Sequence, residues 1–228
     1  MKKIFFAAVM ALATMNVMAQ DEVEATIGAD VVSDYIWRGQ DLGNAAVQPG
    51  LSVAYKGFSV SAWGSVGIVN SADTKEFDLT AAYSVGNFNI GLTDYWFNTA
   101  DKYFYYNNDA TAHVFEANVG YDFGVASLQV YTNIAGDDGV NSRGDRAYST
   151  YVEAAAPFSL GGLDWTATVG VVPMKTTFYG TDGFAVTNIS LKAAKEIKIT
   201  DSFSLPVFAG VTANPCAEKA YFVFGISL

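Results

Sequence analysis

A single histidine, His113, limits the acid–base chemistry open to this chain. A hydrolase would pair a serine nucleophile with a histidine base and an orienting acid or amide. Asp94 and His113 flank one long polar stretch and can meet across a hairpin, yet no G-x-S-x-G turn or other nucleophile signature accompanies them. The pair therefore reads as a structural contact. If alternation holds, both side chains point to the apolar side of their strands, which calls for a bulge there. One histidine and the lone Cys216 make no zinc set. Asp137, Asp138 and Asp145 lack the spacing of a calcium loop, and no glycine-rich phosphate motif is present. No catalytic residue, cofactor or resident metal is expected.

Acidic residues recur with a different regularity. In the stretch 23–39, VEATIGADVVSDYIWRG, every second residue from Val23 to Trp37 is small, apolar or aromatic, while Glu24, Asp30, Asp34 and Arg38 fall on the opposite face. The same phase further along the chain places Asp78, Glu116, Glu153, Asp164 and Glu196, with Lys192, opposite apolar neighbours. Trp63, Tyr95, Tyr131 and Tyr151 share that polar face. A dry core rejects such a row of charges, because each buried charge needs a partner; a water-filled lumen accepts it. Carboxylates in excess over Arg38 and Lys192 would favour cations there. Arg38 is close enough in sequence to pair with Asp34.

The elements that must hold these residues are short and numerous. About twelve alternating segments are readable, at 23–39, 47–55, 58–66, 77–85, from Phe88 onward, and at 113–121, 126–134, 148–156, 163–171, 185–196, 203–213 and 220–228. Short turns such as Lys56-Gly57 and Gly86-Asn87 alternate with longer polar connections such as NTADKYFYYNNDAT and GDDGVNSRGD. That asymmetry and an even strand number predict an antiparallel transmembrane β-barrel, with short periplasmic turns, longer extracellular loops and both termini periplasmic. Large aromatics repeat the pattern. Trp37 and Trp96 fall near the long-loop ends of their strands, and Tyr55, Phe58, Tyr83, Phe88, Tyr121, Phe123, Phe158, Trp165 and Phe203 near the short turns, as two interfacial girdles would require. The cluster from Tyr103 to Tyr106 suits either a constriction or loop packing at the interface.

The first residues have a basic start at Lys2 and Lys3, an apolar run and small residues before a cleavage point after Ala19, the layout of a secretory signal peptide over 1–19. Residues 20–228 would then form the barrel. The formal net charge is −10, and loss of Lys2 and Lys3 takes it two units further negative. Nucleic acid is excluded as a partner, since its binders need basic patches. No uninterrupted apolar run reaches the length of a spanning helix, about 18 residues or more, so a membrane protein with this sequence must cross as a closed barrel. Cys216 reads as a loop thiol.

The run SDYIWRGQ, with QPGLSVAYKGFSVSAWGS behind it, resembles the first hairpin of the TorF-like outer-membrane porins: a Trp-Arg-Gly triplet, a short loop, a Gln-Pro pair, then Gly-Phe and a tryptophan. The resemblance implies a barrel and transport without a named solute, and it supplies no catalytic residues. The final strand ends on Leu228 where outer-membrane barrels usually present Phe to their assembly machinery. The expected protein is a Gram-negative outer-membrane channel for small hydrophilic solutes, surrounded by outer-membrane lipid and preferring cations. The alternative is a non-conducting barrel with a structural or surface role. No motif specifies an oligomeric state, and a barrel of this size could be open or plugged.

Overall fold

A computed structural model describes residues 22–98, 102–106 and 111–228; the expected leader lies outside them. In chain order the strands are β1 (Glu24–Val32), β2 (Tyr35–Trp37), β3 (Gln40–Gly43), β4 (Ala46–Tyr55), β5 (Phe58–Gly67), β6 (Lys75–Val85), β7 (Phe88–Asn98), β8 (His113–Asp122), β9 (Ser127–Gly136), β10 (Thr150–Leu160), β11 (Leu163–Val172), β12 (Ala185–Lys198), β13 (Ser204–Asn214) and β14 (Lys219–Ser227). All except β2 and β3 make a closed antiparallel barrel of 12 strands. Each strand pairs with its sequence neighbour around the wall, and β1 bridges β4 and β14. At the seam Asp30 lies opposite Ser227, and the backbones of Ala29 and Leu228 exchange hydrogen bonds of 3.1 and 2.8 Å.

Side-chain alternation explains why the sheet closes. Leu51, Val60, Leu92, Val119, Ile189 and Val211 face outward and are exposed, while their chain neighbours face the lumen. A flat sheet with this pattern would leave two edges of unpaired backbone groups, which closure removes. Short turns gather at one end, where aromatic side chains also meet in register: Tyr55 opposite Phe58, Phe58 opposite Tyr83, Phe88 opposite Tyr121 and Phe158 opposite Trp165. The longer connections gather at the other end.

Residues 23–39 are not one strand, and this corrects the sequence reading. The chain leaves the wall after Val32, where the Ser33 amide donates to the Phe224 carbonyl and the Ser33 hydroxyl accepts from the Phe224 amide. It then enters the barrel as a separate hairpin, β2 and β3. Arg38 and Gly39 form its two-residue turn, with φ of 51° and 81°, the positive pair that a tight hairpin of this hand needs. Period two continues through the break because β2 is itself extended, so alternation could not reveal the exit. As a consequence Tyr35 and Trp37, placed outward by the sequence pattern, are each only 6 % exposed and lie inside.

Candidate functional site

The hairpin tip meets most of the lumen wall. Arg38 donates through Nη1 and Nη2 to the two carboxylate oxygens of Glu116 on β8, at 2.5 and 2.8 Å, and through Nη1 to the Tyr179 hydroxyl at 2.6 Å. Such a forked pair is among the strongest charge-assisted contacts. The guanidinium carbon also lies 4.5 Å from the ring centre of Trp37, 4.1 Å from Tyr131 and 4.8 Å from Tyr151, within cation–π range. Burial is the largest single influence on the Arg38 pKa and lowers it, but the charge and hydrogen bond of Glu116 together with Tyr179 and Tyr95 outweigh it and hold the pKa above its ordinary value. The expected Asp34 partnership is thus replaced: Asp34 stays at the hairpin neck, and the cation reaches across the lumen to Glu116.

Further contacts seat the plug and brace the wall around it. Tyr35 donates to Glu76 Oε2 at 2.7 Å. Tyr95 donates to Glu116 Oε1 at 2.8 Å. The Asn214 amide donates to the Gly39 carbonyl at 3.0 Å. Trp37 stacks on Tyr179 at 6.1 Å and tilts against Tyr95 at 5.7 Å. Gly39 is required at the tip for space as well as for φ, because a Cβ there would stand 1.8 Å from the Thr187 carbonyl oxygen.

Tyr179 and Phe178 come from the connection between β11 and β12. That segment is held by the one between β9 and β10, through Val140 N to Thr177 Oγ1 at 2.8 Å and Thr177 N to Val140 O at 3.1 Å. Asp138, only 1 % exposed, accepts the Ser149 amide below them. Two loops and one hairpin therefore converge on Arg38. Beside them at the long-loop end lies a cavity of about 330 Å³, lined by Phe97, Val114, Asp137 and Phe178 among others.

The predicted lumen residues divide by depth. Asp30, Asp78, Glu116, Tyr95, Tyr131 and Tyr151 are buried inside the barrel, with Trp63 partly so. Glu153 takes a hydrogen bond from Tyr151 at 2.8 Å, and Asn188 donates to the same hydroxyl at 3.1 Å. Lys192 has its ammonium 4.0 Å from the ring centre of Phe208. Glu24, Asp164 and Glu196 are exposed near the short-turn end and take no part in the central network. The sequence reading missed Glu76 by starting the strand at Phe77; Glu76, Asp78 and Thr80 are in one phase, and that was the available signal. It also missed Phe178 and Tyr179, which lie in an irregular segment without periodicity.

Asp94 and His113 do meet, at 2.7 Å between Oδ1 and Nδ1, with Nε2 of the same ring 2.5 Å from the Tyr103 carbonyl. Both lie on the outward face as alternation requires. The bulge falls instead between β8 and β9, at Phe115 and Glu116. The segment 102–106 covers the pair from outside: Tyr106 stacks on His113 at 4.3 Å, and Tyr103 packs on Trp96 at 5.5 Å and Phe77 at 5.7 Å. The aromatic cluster thus packs on the wall's outer surface and does not constrict the lumen.

Much of the lumen's polarity has no protein partner. Both amide atoms of Gln129 and of Asn133, Oδ1 of Asn188 and Nζ of Lys192 are buried and make no hydrogen bond among the described residues. Polar atoms in that state need water.

A family model described as a bacterial protein of unknown function (Gcw_chp) matches residues 17–205. The chain belongs to this family. The match spans the hairpin, Glu116 and the Tyr179 segment, so the whole Gcw_chp plug lies inside it. No curated protein matches the chain.

Proposed function

We propose that this chain is a Gram-negative outer-membrane porin, a passive route for small hydrophilic solutes that prefers cations and is throttled by its first hairpin. The observation that carries the reading is the closed wall, apolar and ringed by aromatics outside, around an interior of carboxylates and amides that require water. Spanning barrels need closure, because hydrocarbon offers backbone groups no partners, and their lumens are polar. The resemblance of SDYIWRGQ to the TorF-like porins supports the same class. In this reading the short turns and both termini are periplasmic, acyl chains surround the outward face, and β14 with Leu228 is what the assembly machinery recognises.

Selectivity follows from charge. Glu76, Asp78, Glu116, Glu153 and Asp30 line the interior against Arg38 and Lys192, and Arg38 is engaged by Glu116. Excess carboxylate favours cations. No catalytic role is assigned to Asp94 and His113, whose contacts tie an external segment to the wall. The test is conductance in planar bilayers with a salt gradient. Steady channels with a reversal potential on the cation side are expected, together with liposome swelling in small sugars.

A second reading, a non-conducting barrel with a structural or surface role, is favoured by one observation: the hairpin and the Phe178–Tyr179 segment fill the lumen at Arg38. Absence of conductance across a wide voltage range, both in the native chain and after removal of the hairpin, would select it.

A further inference from the structure

One neighbour grips the plugging hairpin along both arms: the β5–β6 pair with the connection 68–74 that joins it. On the β2 arm, Tyr35 packs on Trp63 of β5 at 5.8 Å and donates to Glu76 of β6 at 2.7 Å. On the β3 arm, the Thr74 amide donates to the Leu42 carbonyl at 3.1 Å. At the neck, where the chain returns to the wall, Asn44 donates three times to Asp73. Its backbone amide reaches Oδ2 at 3.1 Å, and its Nδ2 reaches Oδ1 and Oδ2 at 3.0 and 3.2 Å. Beside them the Ile68 amide donates to the Ala45 carbonyl at 2.8 Å.

The local sequence is shaped around Asp73, the only charged residue of the connection 68–74. Asn70 turns the chain toward the neck: its side-chain oxygen accepts from the Ala72 amide at 3.0 Å and its carbonyl from the Asp73 amide at 3.2 Å. Gly43 and Gly67 flank the acid, and a Cβ on either would stand 2.8 or 3.0 Å from the Asp73 Cβ. Glycine at both places is what lets the hairpin and the connection approach this closely. Asp73 is only partly buried, whereas Arg38 and Glu116 are sealed in the lumen. Water can therefore replace the neck bonds at less cost than the tip bonds. The neck nonetheless sets the tip. A slip at Asn44 moves the extended β3 arm lengthwise and carries Arg38 off the Glu116 fork, whose two parallel bonds demand alignment.

The geometry points to Asp73 as the positioning residue of the plug, acting through Asn44 to keep Arg38 on Glu116. The connection 68–74 is then a handle: a displacement of it at the long-loop rim draws Leu42 and Asn44 along and unseats the hairpin. The inference rests on the transport reading above for its effect on flow, while the seating of the hairpin belongs to the fold itself.

The experiment reads the full mature chain in two ways: conductance in planar bilayers, and Trp37 emission in micelles in a background of Trp63→Phe, Trp96→Phe and Trp165→Phe. Asp73→Ala should raise the occupancy of the open level by about fivefold, the factor that one net hydrogen bond is worth, and move Trp37 emission to the red. Its unfolding midpoint should fall far less than that of Arg38→Ala, because the wall closes without the hairpin. The exchanged pair, Asn44→Asp with Asp73→Asn, again sets an amide donor against a carboxylate and should restore both readings. Asp201→Ala, at an exposed turn, should change neither. Heat-shifted gel migration verifies folding, and Asn44→Ala, which removes two of the three bonds from the hairpin side, carries the test should Asp73→Ala not fold. Trp37 emission that ignores both single variants, an equal change in Asp201→Ala, or an exchanged pair that leaves the emission red-shifted would each overturn the positioning role. A red shift reversed by the exchanged pair in a chain that never conducts keeps that role and sinks the transport reading. Steady channels whose emission and open occupancy ignore both variants sink the positioning role alone.

Discussion

At Arg38 both backbone and side chain occupy costly states. A non-glycine residue at φ 51° is strained, and a guanidinium 8 % exposed has given up its water. The forked bond to Glu116 and three aromatic faces offset both costs. Arg38→Ala leaves Glu116 buried without its cation. It should cost roughly 3–5 kcal/mol, the range for breaking a buried pair by removing one partner, read as a lower unfolding midpoint in detergent. It should also raise single-channel conductance. The double variant Arg38→Met with Glu116→Gln removes both charges and should recover most of the stability without restoring the closed level. Gly39→Ala tests shape alone. Its Cβ would collide with the Thr187 carbonyl, so the tip cannot seat, and Trp37 emission, isolated by changing the other tryptophans to phenylalanine, should shift to the red.

The hairpin β2–β3 is an insertion into a wall that closes without it. β1 and β4 pair directly from Glu24–Ala54 to Val32–Ala46, while β14 joins β1 over Asp30–Val32 and β5 follows β4 at Ala46–Val47 and again from Gly50 to Tyr55. Replacing residues 33–45 by Asn-Gly, the strongest two-residue hairpin turn, should therefore give a barrel that still migrates as a heat-modifiable folded species. Its conductance should exceed that of the native chain several-fold if the lumen is a route, and stay at zero if it is not. The segment 102–106 is the opposite case, an external cover anchored through Tyr103 and His113. Its loss should leave conductance unchanged.

For the whole molecule, the decisive question is what solvent the outer wall meets. Leu92 is exposed at mid-strand on β7. In a bilayer Leu92→Arg should destabilise by about 2–4 kcal/mol, the cost of an arginine on the lipid face near the midplane, measured by urea titration in liposomes. In a water-soluble barrel the same change would be close to neutral. Charge preference belongs to this scale too. Asp78→Asn combined with Glu153→Gln should move the reversal potential toward zero while the unit conductance changes little, because field strength in the lumen falls and its width does not.

Alternation of side chains was enough to read a closed wall of twelve strands, its short and long ends, and the burial of Asp30, Asp78 and Glu116, because a strand's period is a local property that a single chain displays in full. The same rule misplaced Trp37 and Tyr35, since an extended hairpin arm keeps period two after it has left the sheet. Arg38 could be recognised as a lumenal cation, but its partner could not: Glu116 is 78 residues away in sequence, and the Asp34 nearby satisfied every local criterion. Glu76 was lost to a boundary error of two residues. Only the tertiary structure decided that the barrel is plugged, because the contacts that plug it join a turn, two irregular loops and seven wall strands, and no local periodicity encodes which distant surfaces meet once the wall has closed.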